Sequence, residues 1–215
     1  KPLAAYGALA QAAEAYGFDG VTVYNDMLYQ PAWLPLLEIA RATKRVQLGP
    51  AAGNPFTSHP INIAGNIALL DEAAQGRAYL GLARGAWLDF VGVQPKRPIS
   101  ALKEAFAAVT HLLHQSKAPL TGDIFPLAGG DSLRWQILRP NLPFLLGSWG
   151  LKTIAACADM VQEEKLGGTA NPDVVRWLKA QFPQINVVVG AVTVVDEDGV
   201  AAKAFARREV ALYLP

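Results

Sequence analysis

Val46-Gln47-Leu48-Gly49-Pro50-Ala51-Ala52-Gly53-Asn54-Pro55-Phe56-Thr57-Ser58-His59-Pro60 is the stretch from which the fold can be read. It opens on a short apolar run, 46–48, of the kind a buried strand needs. Small residues and three prolines follow, so the backbone leaves the strand on an irregular path with little side-chain bulk. Such a strand end lets a flat ligand lie against the backbone itself. The same composition also serves an ordinary strand-to-helix loop.

The flanking sequence repeats this strand-then-helix unit. Upstream, Leu3, Tyr6, Leu9, Ala10, Ala13 and Tyr16 recur at helical spacing, and Gly17 stands where a helix C-terminal glycine belongs. A strand at 18–24 and a helix at 35–43 come next. Downstream the reading is helix 61–74, strand 77–83, and a helix that Ser100 can cap, with Leu102, Phe106, Val109, Leu112 and Leu113 on one face. Segment 118–140 is irregular and rich in Gly and Pro, as a lid, an insertion or a small hairpin would be. Strand 144–147, helix 151–158 and strand 161–166 follow. Asn171-Pro172-Asp173 then starts a helix in the favoured order of cap, proline and acid. Strand 187–195 and helix 200–212 complete the chain.

Six strands each followed by a helix imply a parallel sheet with right-handed crossovers. A doubly wound sheet would carry a phosphate-binding glycine fingerprint after its first strand. Tyr24-Asn25-Asp26-Met27 carries none. The expected fold is therefore α/β and TIM-barrel-like, two strands short of a closed (β/α)8 barrel.

Composition agrees with one domain over 1–215, interrupted by an insertion at about 118–140. Of 215 residues, 52% are hydrophobic and 17% charged, with a net charge of +1, which argues against a nucleic-acid or polyanion binder. Cys157 is the sole cysteine, so disulfide frameworks and thiolate metal sites are excluded, and no His/Asp/Glu cluster has metal-ligand spacing. With no signal peptide or membrane span in the sequence, the expected compartment is the cytoplasm.

Chemistry in a barrel collects at the C-terminal ends of its strands. Those ends read Tyr24-Asn25-Asp26, Pro50-Ala51-Ala52-Gly53-Asn54, Ala83-Arg84-Gly85, Gly147-Ser148-Trp149-Gly150 and Gly167-Gly168-Thr169. Bare backbone beside helix N-termini suits an anionic or phosphorylated ligand. Sparse polar groups fit a cofactor pocket better than a hydrolase, which wants a carboxylate pair or triad. Plain structural roles compete: Asn25 and Asp26 can cap a loop, and Gly167-Gly168 can be a turn before Asn171. His59, beside Pro60 at a helix start, suits a structural role. His111 and His114 sit on a helix and suit its surface, while Trp33, Trp87 and Trp149 suit the core, Trp149 least well.

The run 69–85, with Leu69-Leu70-Asp71-Glu72 followed by Gly76-Arg77 and a strand ending in Ala83-Arg84-Gly85, resembles the bacterial-luciferase-like oxidoreductases. Leu48-Gly49-Pro50 and the stretch from Asn54 to Pro60 are similar to the coenzyme F420-dependent branch. Phe144 to Gly150 and Leu166 to Pro172 match two further family loops in order, so the resemblance covers nearly the whole chain. It implies a non-prolyl cis peptide at Ala51–Ala52 behind the flavin or deazaflavin ring, with Gly53 and Asn54 beside it. It also implies that Ala83, Arg84, Gly85, Gly147, Ser148 and Trp149 border the ring or its tail, and that Gly167, Gly168 and Thr169 receive the phosphate. Asp26, with Asn25 before it, stands where the family usually has Asp-His, and a carboxylate there exchanges a proton if burial raises its pKa. Ser58 stands where an arginine is common.

By the same resemblance the first and eighth strands are absent. The chain is then a fragment, or its sheet is left open or covered by a partner, and a homo-oligomer is expected. The implied function is an F420-dependent oxidoreductase moving a hydride to or from a small organic substrate. The alternatives are an FMN-dependent monooxygenase of the same fold and a non-catalytic flavin-binding protein.

Overall fold

The computed structural model describes residues 1–167 and 171–211. Helix α1 (Ala5–Ala15) leads into β1 (Gly20–Val23), α2 (Trp33–Ala42), β2 (Gln47–Pro50), α3 (Pro60–Ala73) and β3 (Leu80–Ala83). A short 3-10 turn, Leu88–Val91, precedes α4 (Pro98–Leu113). Then come β4 (Phe144–Gly147), α5 (Leu151–Cys157), β5 (Glu163–Leu166), α6 (Pro172–Gln181), β6 (Asn186–Val189) and α7 (Gly199–Ala211). Alternation is unbroken, as the period of the apolar residues predicts.

Every strand pairing is parallel and sequential. β1 pairs with β2, while β3, β4, β5 and β6 form a four-stranded sheet in that order. Parallel bridges Leu48–Ala78 and Gly53–Leu82 join the two parts. The expected six-strand order is present, and among the described residues no pairing closes β6 onto β1.

Period-two alternation sorts the strand residues. Leu48, Leu80, Leu82, Phe144, Leu146 and Leu166 enter one apolar core with Ile39, Ile63, Ile67, Phe106 and Ile154 from the helices. Opposite parity brings the strands together around small residues. A Cβ on Gly81 would run into the Pro50 carbonyl oxygen, and one on Gly49 into Tyr79, so these strands approach as closely as they do only because both positions are glycine.

The 69–85 motif proves to be a fastening. Asp71, 1% exposed, accepts from the Ala78 amide at 3.1 Å and from Arg139 Nε at 2.9 Å. Arg77 donates to the carbonyls of Val46, Thr43 and Ala40 at 2.7, 2.9 and 3.0 Å. One side chain thus ties down β3 and the other ties α2 to β2. The irregular segment contains one antiparallel bridge, Leu120–Leu127, and is pinned by Glu104, which accepts from the amides of Ile124 and Phe125.

Three local expectations need correction. Ser100 does not cap α4, because the helix already begins at Pro98, a residue suited to the first turn. β6 ends at Val189 instead of running to 195, which leaves 190–192 in a loop. Trp87 and Trp149 are not core; they are 49% and 56% exposed, while Trp33 packs partly buried against the core. The histidines are structural. His59 caps α3 by accepting from the Ile61 amide, and His111 and His114 bond to the Ala118 carbonyl and the Asn141 side chain.

Candidate active site

A cavity of about 690 Å³ opens at the C-terminal ends of the strands. Register builds its floor. Ala83 pairs with Gly147, Gly147 with Lys165, and Lys165 with Val188, so one row crosses β3 to β6 with a single charged side chain in it. A Cβ on Gly147 would lie 3.3 Å from that of Ala83 and 3.7 Å from that of Ala52, so these positions form a shallow cradle that only small residues leave open. The Ala51–Ala52 peptide bond is cis.

The walls are loops. Arg84, Gly85 and Ala86 follow β3, Ser148 and Trp149 follow β4, Gly167 follows β5, and Gly190, Ala191 and Val192 follow β6. Gly85 has φ +87°, and a Cβ there would sit 2.9 Å from Asn54 Nδ2, so this turn needs glycine on both counts. A Cβ on Gly167 would collide with the Trp149 indole, which lies across it. Ser148 Oγ accepts from the Gly150 amide, and the Ser148 amide donates to Glu164 Oε1 at 3.1 Å.

Of the residues singled out from sequence, Asp26, Ala51, Ala52, Ala83, Arg84, Gly85, Gly147, Ser148, Trp149 and Gly167 all line this cavity. Gly53 and Asn54 lie behind its wall. Gly53 bonds through its backbone to Gly81 and Ala83, while buried Asn54 accepts from the amides of Phe56 and Thr57 and from the Thr57 hydroxyl. Asn25 also stands outside, with Oδ1 accepting from the Ala32 amide at 3.0 Å and so bracing the loop after β1. Gly168 and Thr169 lie outside the described residues.

Two charged groups face each other in the cavity. Burial pushes the Asp26 carboxyl above the usual range, and the charge of Lys165 pulls it back. Burial likewise lowers Lys165, and Asp26 raises it again. Lys165 Nζ lies 4.5 Å from the Tyr24 ring centroid and 3.5 Å from the Ala51 carbonyl oxygen. The sequence reading missed Lys165, although a lone cation at an inward position of a short buried strand was the available signal. It missed 190–192 because the strand was drawn too long. It also missed Glu164, which points the other way, into the helix layer. Only 1% of Glu164 is exposed, burial pushes its carboxyl up to about 9, and Oε2 has no hydrogen-bond partner among the described residues.

The sequence model of the luciferase-like monooxygenase family matches residues 1–213. The chain belongs to this luciferase-like family. The 5,10-methylenetetrahydromethanopterin reductase of Methanolobus tindarius is 28% identical over 153 residues, covering 70% of this chain and 46% of the relative. The enzyme of the same name from Methanopyrus kandleri is 29% identical over 175 residues, covering 71% and 49%. This luciferase-like chain therefore spans about half the length of the curated relatives it matches.

In fold, the coenzyme F420-dependent tetrahydromethanopterin reductase from Methanopyrus kandleri superposes with a TM-score of 0.86 at 22% identity, covering 99% of this chain and 69% of that one. A monooxygenase from Streptomyces bottropensis gives 0.79 at 19% identity, covering 97% and 70%. Among the described residues no group of His, Cys, Asp and Glu could hold a metal ion, and no helix is long and apolar enough to cross a membrane.

Proposed function

We propose that this chain holds coenzyme F420 in the cavity at its strand ends and belongs to an oxidoreductase that moves a hydride to or from a small organic substrate. One observation carries the reading: the cradle of Ala51, Ala52, Ala83 and Gly147, where a flat ring can rest on backbone and methyl groups. Its charges suit an anionic ligand, since Arg84 and Lys165 are offset only by Asp26. The reductase relatives, one of them named as F420-dependent, support the choice of cofactor.

When bound, the deazaflavin supplies a carbon that gives or takes a hydride. The chain's own share is to orient and to move protons. Trp149 and Gly85 bound the cavity's rim, and Asp26, whose carboxyl burial shifts upward, is the acid of the cavity placed to hold a proton.

The test is a titration of the purified protein with F420 and with FMN, followed by absorbance, and a turnover assay with whichever binds. Saturable binding of F420 in preference to FMN is expected. Preference for FMN would move the reading to a monooxygenase, and binding without turnover on any candidate substrate would leave a flavin-binding protein. If neither cofactor binds, the cavity is not a cofactor site.

A further inference from the structure

Lys165 is the one charged residue in the row Ala83, Gly147, Lys165, Val188 that floors the cavity. Its ammonium group has three donors. One reaches the Ala51 carbonyl oxygen at a long 3.5 Å, and the Tyr24 ring face lies 4.5 Å away. Those contacts are weak ones for a half-buried cation. No carboxylate forms an ion pair with it within 4 Å among the described residues, and Asp26 acts on it only through space. An under-used cation beside a floor of small neutral residues is poised for a ligand acceptor carrying negative charge.

Building on the cofactor reading above, we propose that Lys165 makes this cavity select the reduced, more anionic state of a bound redox ring. Uptake of a hydride brings two electrons and one proton, so the accepting ring gains one unit of negative charge. The donor gives up the same unit, and any hydroxyl proton it sheds goes to a base. Lys165 offers that charge a partly desolvated counter-ion, which the Ala51 carbonyl and the Tyr24 ring hold in place without neutralising it. Burial works against the ammonium and Asp26 works for it, so the carboxylate favours the charged form in this partly desolvated site. The other cation of the cavity, Arg84, is exposed at the rim and less able to discriminate.

The experiment measures dissociation constants for oxidised and for reduced F420, anaerobically, in the parent protein and in Lys165→Met and Lys165→Arg. The parent is expected to bind the reduced form more tightly. Lys165→Met should lose about tenfold in affinity for the reduced form and less than about twofold for the oxidised form. Lys165→Arg should retain most of the preference. Circular dichroism and the melting temperature report whether the variants fold. Equal losses for both forms in Lys165→Met overturn the proposal, and so does a parent that binds both forms alike, which needs no variant to detect. A parent that binds neither form removes the cofactor reading itself, and this proposal with it.

Discussion

Asp26 stands where two cavities meet, the one at the strand ends and a larger one of about 870 Å³ lined by Tyr29, Trp33, Asn62 and Trp135 among others. A proton held there faces both spaces, which is where an acid serving a cofactor on one side and a substrate on the other belongs. Asp26→Asn keeps the shape and removes the proton. We expect cofactor binding to survive and turnover to fall by about 10²–10⁴. Because burial raises the folded-state pKa of Asp26, an acid role predicts turnover that falls as pH rises through that raised value. Normal turnover by the variant would send the proton to water or to the substrate. Asn25 supplies the contrast: its side chain braces the loop, so Asn25→Ala should lower stability modestly and turnover only in proportion. Ala52 gives a second residue-level prediction. Its Cβ lies within 4 Å of where one on Gly147 would be, so Ala52→Leu fills the cradle from one side. Binding of F420 should be abolished with the circular-dichroism spectrum and melting temperature nearly unchanged, and unaltered binding would put the cofactor elsewhere. The sequence announced these small residues by composition and by family resemblance. Lys165 and Glu164 stayed hidden because a strand at 161–166 does not say which of Glu163, Glu164 and Lys165 faces the cavity until the register assigns each residue a face.

At the scale of elements, β5 carries opposite chemistry on its two sides. Lys165 faces the cavity, while Glu164 enters the helix layer among Ile154, Leu178, Phe182, Ile185 and Val187. The Glu164 carboxyl accepts a hydrogen bond from the Ser148 amide, so this buried acid props the loop after β4. Its linkage has a definite sign. The folded state holds the proton up to about 9, whereas an unfolded glutamate releases it near 4.5. Stability on this account is fullest below the unfolded value and falls as pH rises between the two. Glu164→Gln keeps the acceptor and cannot ionise. Urea denaturation at pH 8 should find the variant more stable by about 1–3 kcal/mol, and the gap should close toward pH 5. A constant gap would mean the carboxyl is not the cause. Element order and type were legible from apolar spacing because each helix and strand buries one face. Ends were less so: the α4 cap and the length of β6 depended on Pro98 and on where backbone pairing stops, which spacing does not encode. The motif 69–77 was legible as a family signature but not as what it is physically, a carboxylate and a guanidinium fastening β3, α2 and β2.

For the whole molecule, the burial of the strands is uneven across the sheet. The first three residues of β3 and of β4 are fully buried, whereas β1 and β6 have no buried residue at all. α7 likewise buries none of its residues, and Val189, Val200, Phe205 and Val210 are exposed on β6 and α7. At the opposite border Tyr16, Phe18 and Tyr24 are exposed around β1. Apolar surface beside unpaired backbone on two borders is an invitation to association. The alternation that predicted a barrel two strands short also predicts these two borders, because a parallel sheet without closure must end somewhere. We therefore propose that the chain assembles as a homodimer or higher oligomer that covers part of this surface. Multi-angle light scattering at micromolar concentration is expected to give a mass at least twice that of one chain. Charges placed on both borders, as in Phe18→Glu with Phe205→Glu, should shift that mass toward the monomer while the circular-dichroism spectrum stays the same. A stable monomer of the parent protein at that concentration would refute the assembly, and an oligomer indifferent to both substitutions would place its interface on another face.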